Sequence, residues 1–174
     1  GLVTVATAAG AVNAVVAHAP ELMTEPAAEL EDGSIGIEAF RSTWLNRKTV
    51  VAIGPGLGTV QANQELVLRV VREVKCPLVV DADGITALAA IKEKDWQCPK
   101  TLMVLTPHPG EMSRLTGLSV KEISARRVEV ARAFARKHGV YLVLKGFRTL
   151  IAGPDDHVVV NPTGTPAMAK GGSG

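Results

Sequence analysis

Aromatic residues are scarce in this chain of 174 residues: three Phe, two Trp and one Tyr make up 3% of it. Few stacking platforms, a net charge of only +2 and scattered charges of both signs give no basic, base-stacking surface, so no nucleic-acid partner is expected. Cysteine is almost missing too. Cys76 and Cys98 each precede a proline and show no metal-ligand spacing, so they read as reduced structural thiols, with a single bridge between them as the alternative. No apolar run approaches the roughly 18–20 residues of a membrane span. The chain opens Gly-Leu-Val, with neither an initiator Met nor the basic start of a signal peptide. The expectation is a cytoplasmic protein with no membrane partner.

Apolar residues are plentiful, at 47% against 21% charged, which suits one domain with a sizeable core. Leu2 to Ala6 reads as a buried strand and the Ala-rich stretch Ala8 to Ala19 as a helix stopped by Pro20. Glu29 to Gly36 is polar and turn-prone, and Ile37 to Leu45 reads as a short helix. Thr49 to Ile53 is an unbroken, largely β-branched run, the pattern of a parallel strand buried on both faces.

The pattern then repeats. Val60 to Val74 reads as a helix with Val60, Val67, Val71 and Val74 on one face. Pro77 to Val80 is a strand, and Asp83 reads as the N-cap of a helix from Ile85 to Ile91. Thr101 to Leu105 is a strand leading to a short helix ended by Gly117. Ser119 and Glu122 form a capping box for one long helix closed by Gly139. Val140 to Leu144 is a strand, and Thr149 to Ala152 with His157 to Val160 reads as a hairpin. Strand, glycine loop and helix in repetition predict an α/β fold with a mostly parallel central sheet flanked by helices.

Ligands gather at the carboxyl ends of such strands, and four polar motifs fall there: GPGLG (54–58), DADG (81–84), TPHPGE (106–111) and KGFRT (145–149). GPGLG lets backbone amides approach an anion, or is simply a tight turn. Asp81 and Asp83 suit Mg²⁺ or a ribose, or else a structural acid and a cap. His108, Pro109 and Glu111 open a helix. The imidazole suits a phosphate or carboxamide and Glu111 a metal-bound water, with plain capping as the alternative. Lys145, at the end of a buried strand, needs an anion or an ion pair. AKGGSG (169–174) offers consecutive amides, a nest for phosphate or an ordinary flexible tail. His18, His138 and His157 fall outside these loops and receive no role.

Taken in order, GPGLG, DADG, LTPHPGE, LKG and NPTG…AMAKGGSG resemble the ADP/ATP-dependent NAD(P)H-hydrate dehydratases of the ribokinase-like superfamily, from about residue 1 to the last. The resemblance implies a ribokinase-like fold and repair of damaged nicotinamide cofactor. The hydrate's hydroxyl would be phosphorylated by ADP or ATP, with Mg²⁺, and phosphate elimination would restore the ring. By position, Gly56, Gly58 and His108 would contact the NAD(P)H-hydrate. Lys145, Gly146, Phe147, Arg148, Thr149 and Gly174 would contact the adenine nucleotide, and Glu111 would associate with Mg²⁺. The family's catalytic aspartate follows the GGSG motif, beyond Gly174, and its N-terminal strand and glycine-rich segment precede the match to Gly1. Residues 1–174 are therefore expected to be a partial domain, inactive alone, of a protein forming a homo-oligomer, a tetramer when complete. Where family members often read G-N-x-G-M-A, this chain has Gly164-Thr165-Pro166-Ala167-Met168-Ala169, which alters that loop. Two alternatives stay open: a small-molecule kinase of the hydroxymethylpyrimidine or hydroxyethylthiazole type, or a nucleotide-binding piece without catalysis.

Overall fold

Short β-branched strands alternate with amphipathic helices in the computed structural model, which describes residues 1–91 and 101–165. The elements are β1 (Thr4–Ala8), α1 (Val12–His18), β2 (Met23–Ala27), β3 (Val51–Ile53), α2 (Gln61–Glu73), β4 (Leu78–Val80), α3 (Asp83–Ala89), β5 (Met103–Leu105), α4 (Pro109–Thr116), α5 (Val120–Ala125), α6 (Arg127–His138), β6 (Tyr141–Leu144), β7 (Leu150–Ala152) and β8 (Val158–Val160). Single 3₁₀ turns lie at Ala9–Ala11, Ile37–Ala39 and Ser42–Leu45. Among the described residues no helix is long and apolar enough to cross a membrane.

The main sheet runs β3-β4-β5-β6-β7-β8. Its first four strands are parallel, with Val51 beside Leu78 and Leu78 beside Met103. The β6-β7-β8 part is antiparallel, so the hairpin expected around residues 149–160 is present. One row of side chains, Leu78, Val80, Met103, Leu105, Leu142, Leu144, Leu150 and Ala152, is buried against Leu66, Val67, Val70 and Val71 of α2, Ile85 and Leu88 of α3, and Phe134 of α6. Each Leu, Val, Ile, Met or Phe among them contributes roughly 1.5–3 kcal/mol through burial.

The opposite row differs from expectation. Ala52 is exposed, and Val79, Val104 and Val143 are half-buried. Tyr141, Ile151 and Val159 are exposed on the same face. The parallel strands are apolar on both sides, yet among the described residues only one side is fully buried. The cause is the strand order: consecutive parallel strands with like-handed crossovers send their helices to the same face.

Other sequence readings also shift. The first strand occupies residues 4–8 rather than 2–6, and no residue in it is buried. It pairs in parallel with β2 in a separate two-stranded sheet, Thr4 beside Met23. Nothing in the sequence flagged β2, because it carries Pro26 and only Ala27 of it is buried. Lys48 Nζ donates to Thr4 Oγ1 at 3.1 Å, tying this small unit to the chain before β3. The expected long helix after Ser119 is broken at Arg126 (φ −134°, ψ 44°). The break lets α5 stay against α4 while α6 packs on β6 and β7. The short helix expected at 37–45 is two separate 3₁₀ turns. In α2 the buried face is Asn63, Leu66, Val67, Val70 and Val71, whereas Val60 is the exposed N-cap.

Candidate active site

Because β3, β4, β5 and β6 run the same way, the four loops that follow them leave one edge of the sheet. They are laced together there. Gly54 has φ +129°, and a Cβ on it would lie 1.8 Å from the Asp81 carbonyl oxygen. Loops 54–58 and 81–84 therefore touch backbone to backbone, which only glycine permits. The Gly58 N–H donates to Asp83 Oδ2 at 2.9 Å. Asp83 is consequently not the N-cap of α3. Ala82 holds that place with φ 48° and no side-chain hydrogen bond, while the Asp83 carboxylate pins the glycine loop.

Asp81 points elsewhere, so the two aspartates do not converge on one cation. Lys145 Nζ donates to Asp81 Oδ1 at 2.7 Å, joining the ends of β4 and β6 across β5. Partial burial pushes the Asp81 carboxyl up, but the hydrogen bonds from Lys145 and from the Ala82 N–H outweigh it and hold the group below its ordinary value of 3.8. The Lys145 N–H donates to the Pro107 carbonyl at 2.8 Å, which seats loop 145–149 beside loop 106–108. Lys145 thus takes the ion-pair alternative, at the rim where its nucleotide role was expected.

His108 is the N-cap of α4. Its Nδ1 accepts from the Gly110 and Glu111 N–H groups at 3.0 and 3.3 Å, with Pro109 next in the chain. Glu111 completes a capping box, its Oε2 accepting from the His108 N–H at 2.8 Å and its Oε1 lying 3.4 Å from His108 Nε2. The imidazole itself stays exposed. Glu111 is only 5% exposed, and both its oxygens face His108. Its contacts are to His108, so the Mg²⁺ association expected of it would run through a water, and among the described residues no group of three His, Cys, Asp or Glu could hold a metal.

In loop 145–149, Gly146 (φ +135°) and Arg148 (φ 54°) depart from ordinary backbone. Thr149 Oγ1 closes the turn by donating to the Gly146 carbonyl at 3.0 Å. The N–H groups of Gly146, Phe147 and Arg148 find no acceptor among the described residues. Three consecutive free amides suit an anion. Phe147 is 81% exposed, with the Arg148 guanidinium 5.3 Å above its ring. Gly56 (φ +70°) is exposed, and nothing lies within 4 Å of where its Cβ would be. Gly56, Gly58, His108 and residues 145–149 therefore stand on one edge; Gly174, with the rest of 166–174, lies outside the described residues.

Two contacts had no sequence signal in use. Arg127 reaches the 145–149 loop, donating to the Phe147 carbonyl at 2.6 Å. The Asn63 carboxamide is buried, its NH₂ group donating to the Ile35 carbonyl, and its Oδ1 lies 3.1 Å from where a Gly58 Cβ would stand. Arg127 was hidden inside a helix read as continuous; the arginine pair at 126–127 was the available hint, since cations seldom start helices.

The NAD(P)H-hydrate dehydratase family matches residues 1–174. Among curated proteins, the bifunctional NAD(P)H-hydrate repair enzyme Nnr of Moorella thermoacetica is 41% identical over 176 residues, covering all of this chain and 33% of its own length. The ADP-dependent (S)-NAD(P)H-hydrate dehydratase of Bacillus subtilis is 40% identical over 124 residues, covering 71% of this chain and 42% of its own. A crystal structure of the ADP/ATP-dependent NAD(P)H-hydrate dehydratase from Bacillus subtilis, co-crystallized with ATP/Mg²⁺ and soaked with CoA, superposes with TM-score 0.79 at 31% identity. It covers 99% of this chain and 58% of that one. The chain thus spans about a third of the length of the curated repair enzymes it matches. Match over the whole chain, at this identity and with this shape, places the chain in the NAD(P)H-hydrate dehydratase family.

Proposed function

We propose that the polypeptide carrying this chain restores hydrated NADH or NADPH, using an adenine nucleotide, ADP in preference to ATP. The observation that carries this reading is the lacing of four strand-end loops along one edge, with three free amides at 146–148 beside the exposed His108. The nucleotide's phosphates would lie on the amides of 146–148, near Lys145 and Thr149, and Gly174 would extend that cradle. The nicotinamide part would sit by Gly56, Gly58 and His108.

The chemistry follows from leaving groups. Hydroxide leaves poorly, so the hydrate's hydroxyl oxygen attacks the terminal phosphorus of the nucleotide, the bridging P–O bond breaks, and AMP leaves when ADP is the donor. Loss of phosphate together with a ring proton then restores the double bond. Catalysis of this kind rests on positioning and charge stabilisation. The rim carboxylates are committed, Asp81 to Lys145, Asp83 to Gly58 and Glu111 to His108. By the family resemblance, the base that takes the hydroxyl proton would be an aspartate following the GGSG motif. Residues 1–174 alone should then lose at least about 10²-fold in turnover, the ordinary size of a general acid–base contribution. Mg²⁺ would arrive with the nucleotide, with Glu111 associating with it through a water. A cytoplasmic tetramer belongs to the same reading.

The test is recovery of dihydronicotinamide absorbance from NADH hydrate by the complete polypeptide, with ADP and with ATP. Recovery with either nucleotide supports the proposal. No recovery at saturating substrate sinks it, and a phosphorylated product accumulating without elimination would instead indicate a small-molecule kinase.

A further inference from the structure

Arg127 is the first residue of α6, directly after the break at Arg126. A cation there faces the positive end of the helix dipole. No carboxylate offsets it directly, since Arg127 forms no ion pair among the described residues. Its hydrogen bonds go to backbone carbonyls instead: Nη1 donates to Phe147 O at 2.6 Å and Nη2 to Leu144 O at 3.4 Å. The same Nη2 would lie 3.4 Å from a Cβ on Gly146, a position whose φ of +135° already favours glycine. One guanidinium thus holds the loop at its start and its middle.

The grip has a directional consequence. In a trans peptide the C=O and N–H point opposite ways. Turning the Phe147 carbonyl toward α6 therefore turns the Arg148 N–H away from it. Likewise, the Leu144 carbonyl faces Arg127 while the Lys145 N–H reaches the Pro107 carbonyl on the other side. A residue with φ 54°, as at Arg148, does not hold such an orientation by its own preference.

We propose that Arg127 is a positioning residue for the nucleotide: by holding the Leu144 and Phe147 carbonyls, it fixes the start of loop 145–149 through the Lys145 N–H and aims the free Arg148 amide at the phosphates. The inference rests on the functional reading above, and it adds a group that touches the loop rather than the ligand.

Arg127→Ala and Arg127→Lys are compared with the wild type in the complete polypeptide, by ADP binding in a calorimeter and by steady-state turnover of NADH hydrate. Arg127→Ala is expected to weaken ADP binding and raise the nucleotide KM about fivefold, the size of one or two hydrogen bonds. The hydrate KM, and kcat at saturating nucleotide, should stay within about twofold. Arg127→Lys, which can satisfy one carbonyl but not fork between two, should fall in between. ADP binding unchanged in Arg127→Ala overturns the inference. So does a parallel loss in kcat, hydrate KM and melting temperature that Arg127→Lys does not relieve, because that marks a merely structural role. A wild type that binds ADP but never restores the hydrate sinks the functional reading alone, and the calorimetric comparison still decides on Arg127. A wild type that binds no ADP sinks both.

Discussion

Single residues at the rim carry different kinds of burden. Asp81 and Lys145 are each about one-quarter exposed, so their pair sits between a surface bridge and a buried one. Asp81→Asn should cost about 1–2 kcal/mol at neutral pH, judged by urea unfolding. The carboxyl lies below its ordinary 3.8 in the fold, so its stabilisation is present above that value and lost as pH falls through the lower native one. The gap between wild type and variant should therefore close on acidification below 3.8; an unchanged gap would show that charge is not the cause. Gly54 has no such tolerance. Gly54→Ala would drive a methyl into the Asp81 carbonyl and should cost at least about 3 kcal/mol or prevent folding, as read by the same titration. Sequence alone marked Asp81, Asp83, His108 and Lys145 as polar groups at strand ends. It could not say which would find each other, since Asp81 and Lys145 are 64 positions apart.

At the scale of elements, ends were easier to read than middles. Ser119 and Glu122 form the expected capping box, Ser119 Oγ accepting from the Glu122 N–H at 3.2 Å. Gly117 and Gly139 take the left-handed C-cap conformation that the sequence suggested. Such signals are local, and local chemistry suffices to set them. The break at Arg126 is not local, because it depends on α5 and α6 packing against different partners. Gly139 offers a clean contrast with Gly54. Nothing lies within 4 Å of its would-be Cβ, so Gly139→Ala should cost only the left-handed penalty, about 1 kcal/mol, in thermal or urea unfolding. A loss as large as that of Gly54→Ala would refute this account of the cap.

At the scale of the whole molecule, the described residues bury one face of the main sheet and leave the other half-buried to exposed. That asymmetry predicts unequal sensitivity to substitution. Leu142→Ala, in the buried row, should lose about 2–5 kcal/mol. Ile151→Thr and Val159→Thr, at 40% and 60% exposure on the open row, should each lose less than about 1 kcal/mol. Equal losses in the two rows would mean that the open face is covered in solution.

The sequence by itself determined the alternation of strands, glycine loops and helices, the caps at Gly117, Ser119 and Gly139, and the placing of polar motifs at strand ends. All of these follow from backbone preferences and side-chain periodicity over a few residues. Tertiary structure alone decided which loops meet: the Asp81–Lys145 pair, the Gly58–Asp83 latch, the hold of Arg127 on loop 145–149, and the one-sided burial of the sheet. Those depend on groups far apart in the chain being brought within hydrogen-bond reach. No local pattern encodes that distance.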